Sequence, residues 1–129
     1  MKVKSLSLAE IPEAAKAYAK QIKGGEIFAL FGDLGAGKTT FVRAVCKEIK
    51  LKNKITSPTF VIMNTYPVKH RGQHLMIFHL DLYRTKNFKE IAALGLTEFW
   101  GKSHTVTFIE WPDKIKKHLP KKTKIVKFN

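Results

Sequence analysis

The stretch Gly32-Asp33-Leu34-Gly35-Ala36-Gly37-Lys38-Thr39 has the spacing G-x-x-x-x-G-K-[ST]. These residue types at that spacing suit the binding of a polyphosphate. Glycines let a backbone curl so that its N–H groups converge on an anion. Lys38 supplies a point charge to the outer phosphates, and Thr39 supplies a hydroxyl to Mg²⁺. Thr40 opens the helical segment that follows, whose N-terminal dipole adds to the attraction. A nucleoside triphosphate with Mg²⁺ is therefore the expected ligand.

Such a loop needs acidic partners for the metal and for an attacking water. Two carboxylates stand at the ends of apolar runs. Glu110 closes Val106-Thr107-Phe108-Ile109, and Asp81 lies in His79-Leu80-Asp81-Leu82-Tyr83-Arg84. Strand alternation puts His79, Asp81 and Tyr83 on one face. Plainer roles are open for both acids: Glu110 as a helix cap before Pro112, Asp81 as an ion pair with Arg84. Trp111 reads first as a core residue, and its place beside Glu110 also points to a role at the site. Ser57-Pro58-Thr59-Phe60 sits one connection beyond the loop helix, where a hydroxyl could sense the terminal phosphate. It reads equally well as a turn pinned by Pro58. His79 reads as a sheet histidine, and His70, His74, His104 and His118 show no metal-ligand spacing.

The elements that must position these groups follow from periodicity. Glu26 to Phe31 is an apolar run of strand length. Thr40 to Lys50 places Phe41, Val42, Val45, Cys46 and Ile49 on one helical face. Upstream, residues 2–6 read as a short strand, and Ser7-Leu8-Ala9-Glu10 as a capping box before a helix that Gly24-Gly25 ends. Downstream, Val61 to Tyr66 and His74 to Tyr83 form a hairpin across a polar turn from Pro67 to Gln73. Short helices are expected at Phe88–Leu94 and Asp113–His118, with a possible further turn at Thr97–Gly101. Thr105 to Ile109 is a strand, and Thr123 to Phe128 a final edge strand with its lysines in solvent. The fold class is α/β: one P-loop NTPase domain over residues 1–129, a mixed central sheet flanked by helices.

The chain of 129 residues carries 24 Lys and Arg against 10 Asp and Glu, a net charge of +14. That excess exceeds what a bound nucleotide needs and reads as a field for nucleic acid, tRNA included, or for an acidic partner, or more plainly as a lysine-rich solvated surface. The arginines are Arg43, Arg71 and Arg84, so the charge is mostly lysine. Lysine suits diffuse phosphate contacts more than base readout. A lone Cys46 permits no internal disulfide. With no apolar stretch of membrane-spanning length and no signal-like start, a cytoplasmic location and no membrane partner are expected.

Four segments in order, Gly32–Phe41, Ser57–Phe60, His79–Arg84 and Ile109-Glu110-Trp111-Pro112, resemble the TsaE family, formerly called YjeE. These are bacterial P-loop ATPases of tRNA threonylcarbamoyladenosine biosynthesis. The resemblance implies a compact ATPase that works with a TsaB–TsaD heterodimer. TsaD makes the modification next to the anticodon of tRNAs reading ANN codons, and ATP hydrolysis permits repeated turnover. It implies weak activity alone and stimulation by the partners, with tRNA met through the complex or directly through a basic surface. Lys38 and Thr39 carry over as phosphate and Mg²⁺ contacts. Glu110 carries over as the Mg²⁺-linked acid, Asp81 as an acid needed for hydrolysis and Trp111 as an adjacent aromatic. Which acid orders the water stays open. The chain departs from the family at Ile11-Pro12-Glu13, where a Thr is usual, and at Thr85–Lys89, which is basic where an acidic stretch is expected. Its tail after Pro120 is also short.

Two other activities compete. A GTPase needs Asn-Lys-x-Asp, and Asn53-Lys54-Ile55-Thr56 ends in Thr. A small-molecule P-loop kinase needs arginines over the phosphates, which leaves Arg43 and Arg84 to supply them.

Overall fold

The computed structural model describes residues 3–129. Six strands make one sheet: β1 (Val3–Leu6), β2 (Ile27–Phe31), β3 (Met63–His70), β4 (Gln73–Asp81), β5 (Thr105–Glu110) and β6 (Lys124–Phe128). Their order is β1-β6-β2-β5-β4-β3. All neighbours are parallel except β3, which runs antiparallel to β4. Three α-helices join them: α1 (Ile11–Gln21), α2 (Lys38–Glu48) and α3 (Phe88–Ala93). Two 3-10 segments, Leu8–Glu10 and Pro112–His118, complete the elements.

The sheet is covered on both faces: β5 is buried at every position and β2 at all but its last, with β2 wholly apolar. Phe28 and Leu30 of β2, with Val106 and Phe108 of β5, pack under α1 and α2. Ile27, Ala29 and Ile109 point the other way, toward Ile91 of α3 and Ile115 of the second 3-10 segment. An aromatic group ties the first layer together. Phe28 stacks on Phe108 at 4.9 Å, and Tyr18 of α1 meets Phe28 edge-on at 5.4 Å. Edge-on and stacked rings add to the area they bury. This layer seats α2 against β2 and β5, and so fixes the start of α2 beside the end of β5.

Several sequence expectations hold. Glu10 accepts from the Ser7 amide at 2.8 Å and from its hydroxyl at 2.9 Å, and these bonds hold its carboxyl below the usual range. Pro12 sits in the first turn of α1. Phe41, Val42, Val45, Cys46 and Ile49 are all buried.

Others are corrected. Strand β6 is not an edge; it lies between β1 and β2. Its lysines stand near its ends around buried Ile125 and Val126, and the ammonium of Lys124 reaches back over the Phe28 ring at 5.4 Å. Long stems let charged heads leave an interior strand. The edges are β1 and β3. The hairpin turn is not Pro67 to Gln73 but Arg71-Gly72, with φ of 53° and 77°. Paired left-handed residues match the twist of the flanking strands. Pro67 stays inside β3 because an edge strand tolerates a missing N–H. Val61 and Ile62 lie outside the strand, Ile62 with φ 71°. Helix α2 begins at Lys38, two residues earlier than expected. Residues 97–101 form turns. Lys2, placed in the first strand by sequence, lies outside the described residues.

Candidate nucleotide site

The phosphate-loop stretch joins the end of β2 to the start of α2, as its sequence context requires. Gly37 is the residue before the helix and has φ 118°, a conformation side chains resist. A Cβ there would also lie 2.8 Å from Ile11 Cδ1 and 2.9 Å from Leu8 Cδ2. The loop thus packs tightly on the entry to α1. At the far side of the loop Phe41 N donates to Gly37 O at 2.8 Å, the first bond of a regular helix. The amides of that first helical turn have no partners within the helix and can serve an anion.

Lys38 is 5% exposed. Its ammonium donates to Gly32 O and, at 3.4 Å, to Asp33 O. It also lies 3.4 Å from the centre of the Trp111 ring. Trp111 adopts φ 56° to turn its ring this way, at the start of the second 3-10 segment. Burial lowers the Lys38 pKa, while Glu110, Asp113, Asp81 and Asp33 oppose that shift. The site end of the sheet therefore gathers carboxylates around one buried cation.

Asp81 and Glu110 are opposite one another at the carboxyl ends of parallel β4 and β5. Each is 3% exposed. Ligand groups in open α/β sheets collect beyond such strand ends. Glu110 Oε2 accepts from Thr39 Oγ1 at 2.8 Å, and His79 Nε2 lies 2.5 Å from the same oxygen. Asp81 Oδ2 accepts from Thr59 Oγ1 at 3.0 Å, and Oδ1 from Tyr83 N at 2.9 Å. Ser57 Oγ lies 2.7 Å from Thr59 Oγ1. Neither plainer role applies. Glu110 makes no cap bond to the 3-10 segment, and among the described residues no ion pair joins Asp81 to Arg84. Arg84 stands instead 5.5 Å from the Phe60 ring.

A cavity of about 400 Å³ opens over these groups. Leu34, Gly35, Gly37, Lys38, Thr39, Thr40, Asp81, Glu110 and Trp111 all line it. Asp33 and Ala36, expected there from the motif, do not; Ala36 N donates back to Asp33 O at 3.0 Å and closes the loop from outside. Ser57, Thr59 and Tyr83 also line it, so the Ser-Pro-Thr segment belongs to the site and is more than a turn. Tyr83 does not continue the β4 face. The strand ends at Asp81, and the Tyr83 ring packs on Trp111 at 4.9 Å. His79 is the group that strand alternation put on the right face but left without a role. Its contact with Glu110 depends on the register of β4 on β5, which no local pattern encodes.

The donor set fits Mg²⁺. A threonine hydroxyl and a carboxylate meet at 2.8 Å at the mouth of a phosphate-sized loop. Among the described residues no group of three or more His, Cys, Asp or Glu could hold a metal by itself. That suits an ion that keeps waters and takes phosphate oxygens for the rest of its octahedron. The arginines suit a kinase poorly. Arg43 Nε is bound to Ile55 O at 2.9 Å, Arg84 stands over the Phe60 ring at 5.5 Å, and neither lines the cavity.

A mixed, mostly parallel sheet with a phosphate loop after β2 and two carboxylates at neighbouring strand ends defines a P-loop nucleotide-binding protein of the ATPase kind. The family model described as threonylcarbamoyl adenosine biosynthesis protein TsaE matches residues 5–129. The chain belongs to the TsaE family. It is 44% identical over 112 residues to the tRNA threonylcarbamoyladenosine biosynthesis protein TsaE of Rickettsia bellii, covering 86% of this chain and 74% of that one. It is 36% identical over 113 residues to the protein of the same name from Bacillus subtilis, covering 84% and 67%. Across these TsaE relatives the matched share of the relative ranges from 58% to 74%. The crystal structure of Bacillus subtilis YdiB superposes with a TM-score of 0.65 at 29% identity, covering 95% of this chain and 72% of that one. No helix among the described residues is long and apolar enough to cross a membrane.

Proposed function

We propose that this chain binds and hydrolyses ATP with Mg²⁺ in support of threonylcarbamoyladenosine formation on tRNA, acting in the cytoplasm with a TsaB–TsaD heterodimer. The relatives' names support the pathway. The observation that carries the hydrolytic reading is the bond from Thr39 Oγ1 to Glu110 Oε2, which joins the phosphate loop to the end of β5.

In this reading the amides at the start of α2 and the Lys38 ammonium hold the outer phosphates. Mg²⁺, when bound, would neutralise charge on the phosphates. Thr39 and Glu110 form the metal side of the site. Glu110 Oε2 is already engaged by Thr39 Oγ1 and His79 Nε2, and its carboxylate would hold Mg²⁺ together with the Thr39 hydroxyl. Asp81 stands across from it with Thr59 and Ser57. That group lines the same cavity as Lys38 and Thr39, and in this reading Asp81 orients the attacking water. Trp111 covers Lys38 and keeps bulk water from its charge.

Partner binding has support at the rim. Leu34 is 89% exposed and Phe60 84%, beside a half-covered Tyr83. Exposed apolar groups around a cavity mouth suit coverage by another protein. A partner seated there would complete the site, and weak activity alone is then expected. Reconstitution tests the reading. With TsaB, TsaD, ATP, threonine, bicarbonate and unmodified tRNA, the modification should pass through many cycles only when this chain is present. The Lys38→Ala variant should fail to restore cycling. Full cycling with that variant would contradict the proposal.

A further inference from the structure

The carboxylates Asp33, Asp81, Glu110 and Asp113 all act on Lys38 at the carboxyl end of the sheet. The opposite end is built from the segments around Gly24, the β3–β4 turn, residues 101–105 and residues 120–124. They are tied together there. Gly25 N donates to Thr105 O at 2.6 Å, Arg71 to Lys20 O at 2.7 Å and Gln73 to Ser103 O at 3.3 Å. This end carries Lys20, Lys23, Arg71, Lys102, Lys121, Lys122 and Lys124. Among the described residues no ion pair engages any of them. The nearby Glu26 is occupied, accepting from Lys23 N at 2.9 Å and Gly24 N at 2.8 Å.

The surface there is concave. A cavity of about 410 Å³ is lined by Lys121, Lys122 and Lys124, by Glu26, and by the bare backbone of Gly24, Gly25 and Gly101. Glycine lets a ligand approach the main chain closely. Lysine heads around such a hollow suit phosphates at repeated spacing, and they attract them without reading sequence.

We infer that this basic end of the sheet, centred on the Lys121–Lys122–Lys124 cavity, binds the phosphate backbone of RNA at a site separate from the nucleotide cavity. RNA is favoured over an acidic protein for two reasons. The cations are almost all lysine and spread along several loops, as a polyphosphate track requires. The pathway reading also places an RNA within reach, and the inference rests on that reading for the kind of polyanion. The geometry leaves the carboxyl end of the sheet free for nucleotide and a protein partner while RNA lies at the other pole.

The test is binding of fluorescently labelled unmodified tRNA to the whole chain across a series of salt concentrations. The comparison is Lys121→Glu/Lys122→Glu. Wild type should bind with an affinity that falls steeply as salt rises. The double variant should lose at least about tenfold in affinity, and its salt slope should be shallower by about two phosphate contacts. Binding of a fluorescent ATP analogue should be the same in both proteins, which shows that the variant is folded. Lys38→Ala should keep its tRNA affinity. Equal tRNA affinity in wild type and double variant would overturn the inference, as would absence of tRNA binding at low salt. Poly-glutamate of matched charge binding as tightly as tRNA would overturn it in favour of an acidic protein. The failure of the pathway reading is separable. A chain that binds tRNA through these lysines but never supports the modification contradicts the pathway and leaves the surface standing.

Discussion

His79 Nε2 lies 2.5 Å from Glu110 Oε2, and both residues are buried between neighbouring parallel strands. Glu110 is thereby held from two sides, by His79 of β4 and by Thr39 of α2. The other ring nitrogen, Nδ1, has no partner among the described residues. An unprotonated ring nitrogen tolerates that better than a buried N–H donor does. The arrangement assigns the Nε2–H tautomer, donating to the carboxylate. His79 acts as a positioning residue for Glu110.

Replacing it should separate chemistry from binding. His79→Ala should lower kcat for ATP hydrolysis by about tenfold or more while ATP affinity changes by less than about threefold. His79→Gln, which can still offer a donor to Glu110, should recover part of the loss. Steady-state kinetics with partners, and nucleotide titrations, measure both. An equal loss in both variants, tracking lowered melting temperature, would mean that the histidine only fills space.

The two carboxylates should differ from Lys38 in what their loss does. Glu110→Gln and Asp81→Asn should retain nucleotide binding and lose hydrolysis by about 100-fold or more, the scale expected when a positioned group acts on the transition state. Glu110→Gln should also raise the Mg²⁺ concentration needed for half-maximal binding; Asp81→Asn should not. Lys38→Ala removes a charge-assisted contact worth about 1.5–3 kcal/mol and should weaken ATP binding by roughly 10- to 150-fold. Titration of nucleotide at several Mg²⁺ concentrations separates these cases.

Gly37 tests the seat of the loop. Alanine there must hold φ near 118° and push against Ile11 and Leu8. Left-handed backbone costs about 1–2 kcal/mol and overpacking about 1–3 more. Gly37→Ala should therefore melt lower by roughly 8–20 °C, at roughly 4 °C per kcal/mol for a chain of this size. Gly35→Ala has open space around it and only the backbone cost at φ 80°. It should be milder. Thermal unfolding of the pair checks the order.

The nucleotide site was legible because its signals are local. The loop, the apolar run before it and the helical face after it are contiguous, and each carboxylate closes an apolar stretch. What needed tertiary structure was harder to read. β6 is interior because β2 offers it a free side, and nothing within Thr123–Phe128 announces that neighbour. Pro67 looked like a turn residue, yet at an edge it remains in β3. Thr59 and His79 join the site only through the placement of β4 beside β5 and of the 57–60 segment over Asp81.

Cys46 offers an independent reporter of opening. It is buried on α2, and burial pushes its thiol up to about 12. Reactivity follows the thiolate, so the folded chain should resist a thiol reagent at pH 8. Denaturant should release labelling along with unfolding, and ATP with Mg²⁺ should slow labelling at a fixed denaturant concentration by stabilising the folded state. Rapid labelling of the native chain would contradict the packing of α2.

The most direct test of the central claim is release of phosphate from ATP by the pure chain, alone and with TsaB–TsaD and tRNA. Slow hydrolysis that rises at least about tenfold with the partners, and vanishes in Glu110→Gln, is the predicted result. Equal rates with and without partners, or phosphate passed to an added small alcohol, would contradict it and turn the site toward kinase chemistry.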